Sequence, residues 1–163
     1  MTISFLSQYD ESIPESWRPR ACSVTNLYMV LKSRGVDTTV EALIEEGESI
    51  NAFGPRGWTH EGIVRLAHNH GVSAYSQEFR SKDAQIAEAL QKKGIQKIHS
   101  NLGKGFPVIV SIQKENGSYH TITLVNHPEE GFLVHDPEEK EATHMFEADF
   151  LKKWRGLSIF FEE

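Results

Sequence analysis

The chain has 163 residues, of which 39% are hydrophobic and 25% charged, a balance that supports a buried core and excludes a disordered polymer. Its net charge of −6, with both signs mixed along the sequence, leaves no contiguous basic stretch for nucleic acid or an anionic membrane surface. One cysteine excludes an intramolecular disulfide, and neither a signal-like start nor an apolar run of membrane-spanning length is present, so a cytoplasmic protein is expected.

The first half reads as helical. Val24, Leu27, Tyr28 and Leu31 recur at i, i+3, i+4 and i+7, with Gly35 where a C-terminal cap belongs. "TTVEALIEEG" fits a second helix, with Thr38 and Glu41 spaced as a capping box and Gly47 closing it. Thr59 opens a third in "THEGIVRLAHNHG", which ends at Gly71. "VSAYSQEF" is a weak strand. "DAQIAEALQKKG" is amphipathic through Ile86, Ala87 and Leu90 and is expected to stop at Gly94, with a separate helical turn over residues 95–102.

The second half reads as sheet. "PVIVSI" precedes the turn "ENG", "HTITLVN" precedes "HPEEG", and "FLVHD" follows. A short strand near Thr143, a helix through Phe150 and Trp154 and a last strand "LSIFF" complete the chain. The order implies one α+β domain over residues 1–163, its N-terminal helical half packed on one side of a C-terminal antiparallel β-sheet.

A cysteine near the start and a histidine far downstream suit a Cys–His nucleophilic site. Pairing Asn126 with Phe132 across "HPEEG" sets Leu124 against Val134 and Ile122 against Asp136, and gathers the apolar residues on one face. His120 is then the diagonal neighbour of Asp136, with backbones roughly 7–8 Å apart, close enough for an imidazole–carboxylate hydrogen bond. The register puts His120 on the face where Cys22 would lie. A thiol in the first helical turn is acidified by the helix dipole, and further by an adjacent imidazolium. An oxyanion would need donors: the Cys22 N–H is one, and Gln8, the sole Gln or Asn before Cys22, is the candidate for a second.

The runs "ACSVTNLYMVLKSRG", "GKGFPVIVSI", "YHTITLVN", "GFLVHDP" and "FEADFLKKWRG" together resemble the papain-like cysteine peptidases of the bacteriocin-leader-processing, or double-glycine peptidase-like, type and their stand-alone relatives. The resemblance runs from about Gln8 to Trp154. It implies a papain-like fold, Cys22 as nucleophile, His120 as general base, Asp136 as the acid orienting it and Gln8 as oxyanion-hole donor. It also implies a peptide or protein substrate and no cofactor. Residues 9–21 separate Gln8 from Cys22 by more than the family usually has and read as a loop insertion.

Blander readings stand beside these. A lone cysteine also serves as a small core residue, His120 as a hydrogen-bonded sheet histidine, and Gln8 as a surface amide. Trp58 and His60 either border a substrate cleft or meet the packing needs of their own loop. His68 and His70, two apart on a helix, diverge, and His135 points away from Asp136, so no metal site is expected. The expected activity is hydrolysis of a peptide or amide bond. A peptide-binding or regulatory domain without turnover, and an acyltransferase using the same three residues, are the alternatives.

Overall fold

The structure is a computed structural model that describes residues 2–163. A 3-10 turn, Arg18–Arg20, leads into helix α1 (Cys22–Ser33). Helix α2 (Val40–Ser49) is capped by Thr39, whose hydroxyl accepts from the Ala42 N–H, one residue later than the expected box. A two-residue hairpin, β1 (Phe53–Gly54) and β2 (Gly57–Trp58), precedes α3 (His60–Asn69), which Thr59 caps as expected. Strand β3 (Ala74–Glu78) and helix α4 (Ala84–Gly103) follow. The second half is β4 (Val108–Gln113), β5 (Tyr119–Asn126), β6 (Phe132–His135), β7 (Thr143–Met145), α5 (Glu147–Lys153) and β8 (Trp154–Phe161).

Two expected helix stops are not stops. Gly47 lies inside α2, where a side chain would run into the Trp58 indole. Gly94 lies inside a continuous 20-residue α4, and a Cβ there would sit 2.5 Å from Trp154 and 2.7 Å from Phe79. In both places the missing side chain permits close packing while the helix carries on.

The six-stranded antiparallel sheet has the order β3-β8-β4-β5-β6-β7. Helices cover both of its faces, not one. Ile109, Ile159 and Phe161 join Leu27, Leu43, Ile63 and Leu66 of α1–α3 in one core. Val110, Ile122, Leu124 and Phe160 join Ile98 and Leu102 of α4 and Phe150 of α5 in the other. Central strands buried on both faces are apolar at consecutive positions, which is why "PVIVSI" and "LSIFF" do not alternate.

Two irregularities bear on the site. Leu124 pairs with Val134 as expected, but a bulge at Val125 sets Asn126 against Leu133 instead of Phe132. Between β4 and β8 the register jumps: Ser111 faces Leu157 while Ile112 faces Trp154. Arg155 and Gly156 therefore bulge out of the ladder, and Gly156 takes φ +76°, a conformation glycine adopts without strain.

Candidate active site

Cys22 is the first residue of α1, and the preceding Ala21 has no side chain able to cap the helix. What holds this end is β5. The Asn26 amide, one turn on, donates to the Thr121 carbonyl at 2.9 Å and accepts from the Thr123 hydroxyl at 2.6 Å, while Ser23 and Thr121 share a 3.0 Å hydroxyl contact. The same amide donates to the Cys22 carbonyl at 2.9 Å. Helix α1 thus lies over Thr121 and Thr123, the sheet face opposite to Ile122 and Leu124 and not the expected one. Its first residue, Cys22, lines the same cleft as His120, near the beginning of the strand.

His120 is 4% exposed, and its Nε2 donates to Asp136 Oδ1 at 2.6 Å. The diagonal relation inferred from strand parity is thus realised, with Asp136 one residue beyond the end of β6. The Glu138 backbone N–H donates to the same oxygen at 2.9 Å and fixes the carboxylate. With Nε2 engaged, Nδ1 is the nitrogen left to the thiol. Glu138 Oε1 also lies 3.8 Å from Nδ1, and the Lys114 ammonium holds the other Glu138 oxygen at 2.6 Å.

Electrostatics couple the three side chains. Burial pushes the Cys22 thiol up, but the hydrogen bond and charge of His120 outweigh it and bring it down to about 7. Burial likewise opposes the imidazolium, yet Asp136 and then Cys22 raise His120 to about 10. Asp136 is pushed up by burial and more strongly down by His120, which holds its carboxyl below the usual range. Between those two values the arrangement favours a thiolate beside an imidazolium.

Gln8 is 1% exposed, so it is no surface amide. Its backbone N–H donates to the Pro137 carbonyl at 2.8 Å, next to Asp136. Residues 9–21 loop out and return, so that its Nε2 donates to the Arg18 carbonyl at 2.7 Å, while Oε1 is buried without a partner. Gln8 therefore buttresses the chain on both sides of the site without lining the cleft.

The cleft itself has a volume of about 570 Å³, and Cys22, Trp58, His60, His120 and Thr121 all contribute to its wall. The Trp58 indole N–H donates to the Arg20 carbonyl at 2.9 Å, so the hairpin is tied to the turn that precedes Cys22. Among the described residues no group of three or more His, Cys, Asp or Glu side chains could hold a metal ion, and no helix is long and apolar enough to cross a membrane. His68 and His70 instead bond the Ala74 carbonyl and Glu46.

The family model described as the Peptidase_C39 like family matches residues 1–158. The chain belongs to that family. Solved structures similar to this C39-like chain include the peptidase domain of Streptococcus ComA, a bifunctional ABC transporter of a quorum-sensing pathway, at TM-score 0.71 and 20% identity, covering 98% of each chain. A C39-like peptidase candidate from Bacillus anthracis superposes at TM-score 0.71 and 16% identity, over 99% of this chain and 95% of that one. A double-glycine-motif protease from an AMS/PCAT transporter, solved with its leader peptide, does so at 0.66 and 16%, over 99% and 93%. At such identities the likeness establishes the fold, papain-like and α+β. No curated protein sequence is similar to the C39-like chain.

Sequence reading missed Asn26, Glu138, Lys114 and Arg155. Asn26 carried a usable clue, a polar residue one turn from Cys22 on the face that turns inward. Glu138 and Lys114 are brought to His120 by turns whose geometry the sequence pattern does not encode.

Proposed function

We propose that this C39-like chain is a cysteine peptidase or amidase in which Cys22, His120 and Asp136 act together. The observation that carries the reading is one imidazole with Nε2 bound to a carboxylate at 2.6 Å, in the same cleft wall as a thiol that this imidazole brings down to about 7. The Cys22 thiolate adds to the carbonyl carbon of a bound peptide. The carbonyl π electrons move to oxygen, and as the C–N bond breaks His120 gives its proton to the leaving amine. Water, deprotonated by His120, then attacks the thioester and releases the acid and the Cys22 sulfur. Asp136 keeps the ring oriented and supports its positive charge. An amine that replaced water at the thioester would make the same site an acyltransferase.

The oxyanion needs N–H donors. Helices α2, α3 and α4 have their first turns capped by Thr39, Thr59 and Asp83, whereas α1 has no side-chain cap. The first-turn N–H groups at Cys22 are accordingly candidates for the negative oxygen. Gln8 gives its amide to Arg18 and stands outside the cleft lining, so we assign it the support of the chain on either side of the site and not a donor to the oxyanion.

Incubating the protein with a pool of peptides and reading new termini by mass spectrometry tests the reading. Cleavage is expected, with loss of activity in Cys22→Ser and a fall of about 10²–10⁴-fold in His120→Ala. The commitment of the Gln8 amide to Arg18 at 2.7 Å favours a second reading, a peptide-binding domain without turnover. Peptides retained by the wild-type protein but never cut, with no acyl adduct on Cys22, would decide for it.

A further inference from the structure

The cleft beside Cys22 has an electrostatic character opposite to that of the whole chain. Arg20, Arg56, Arg80 and Arg155 all contribute to its wall, against one carboxylate, Glu78. They come from the 3-10 turn, the β1–β2 hairpin, the loop after β3 and the β8 bulge, so folding gathers what the sequence disperses. Glu78 lies 3.4 Å from Arg80 and is exposed, so it neutralises little of this charge.

Arg155 is the best-placed of the four. The bulge takes it out of the β4–β8 ladder, its Nη1 donates to Ser111 Oγ at 2.8 Å, and its guanidinium carbon lies over the Tyr119 ring, 3.5 Å from the centroid. No carboxylate lies within ion-pair distance of it among the described residues. Ser111 and Tyr119 hold the guanidinium, which keeps further N–H donors in a planar fork of the kind that binds a carboxylate. Tyr119, Arg155 and His120 all line the cleft, so this fork opens into the same space as the catalytic pair. His60, also in the wall, is held below its usual value by burial and then by the Arg155 charge, with Glu78 opposing and Arg80 adding.

We propose that the cleft selects peptides carrying a carboxylate close to the bond presented to Cys22, with Arg155 as the principal contact and Arg80 as its support. The proposal rests on the cleft serving Cys22 as its substrate site. The carboxylate is either an Asp or Glu side chain or the peptide's own C-terminus.

The test compares alkylation of Cys22 by iodoacetate, an anion, with iodoacetamide, its neutral counterpart, at low salt, following the adduct by mass spectrometry. The ratio of the two rates is an internal control for thiol reactivity and for His120. In Arg155→Gln it is expected to fall about threefold or more, further in Arg80→Gln/Arg155→Gln, and to recover in Arg155→Lys. The second readout is the peptide pool, offered as free acids and as C-terminal amides. Enrichment of Asp or Glu near the cuts in both pools identifies the side chain, and cleavage near the C-terminus of the free acids alone identifies the terminus. A ratio that does not move in the double variant overturns the proposal, and so do cuts with neither preference. An uncut pool with a ratio that still falls would instead overturn turnover by Cys22 and leave the carboxylate preference standing.

Discussion

At Cys22 two influences of opposite sign meet. Burial favours the neutral thiol, and the His120 charge favours the thiolate and wins, bringing it to about 7. The rate of iodoacetamide alkylation should therefore rise with a midpoint near pH 7. It should change again near pH 10, where His120 loses its proton. In His120→Ala burial, the largest influence, is opposed only by the smaller Thr121 hydrogen bonds, and the midpoint should move up from 7 toward or beyond the ~8.5 of a free cysteine. Asn26 is the other residue on which the pair depends, because its buried amide ties the first turn of α1 to β5. Asn26→Ala leaves the Thr123 hydroxyl without its acceptor and the Thr121 carbonyl without its amide donor, at a cost of about 2 kcal/mol or more. The expected result is a lower urea midpoint together with a thiol midpoint displaced from 7. His120 and Asp136 were legible in the sequence because strand parity is a local rule. Asn26, Glu138 and Lys114 were not, because their roles depend on where a helix and two turns come to rest.

Elements were readable where one local force decides them. Thr59 and Asp83 begin their helices because their side chains accept the orphan N–H groups of the first turn. Glycine was the weak point, since it marks both a helix end and a close approach. At Gly94 the approach wins, and α4 continues across Trp154 and Phe79. Gly94→Ala would gain roughly 1 kcal/mol in helix propensity. The added methyl meets two packed rings, an overpacking cost of about 1–3 kcal/mol. The variant is expected to be less stable than the wild type in urea or thermal unfolding, and an increase in stability would contradict the packing account. The β1–β2 hairpin was beyond sequence reading, being two residues a side with no alternation to detect.

On the scale of the molecule, the α+β order of elements was legible, but the placing of helices on both faces of the sheet was not deduced. The clue was the run of consecutive, mostly apolar residues at 108–112 of β4 and 157–161 of β8, which a doubly covered strand tolerates. Charge behaved in the opposite way: a net of −6 describes the chain, while the cleft is lined by four arginines. A sum over the sequence cannot report a concentration that arises from folding. The sheet order also has a temporal consequence. Strand β8, made after the other strands of this sheet, is inserted between β3 and β4 and brings Arg155 with it. Until it arrives, β3 has no neighbour to pair with and the cleft lacks one wall. A nascent chain can therefore carry Cys22 and His120 until β8 is made without exposing a finished cleft to the peptides around it.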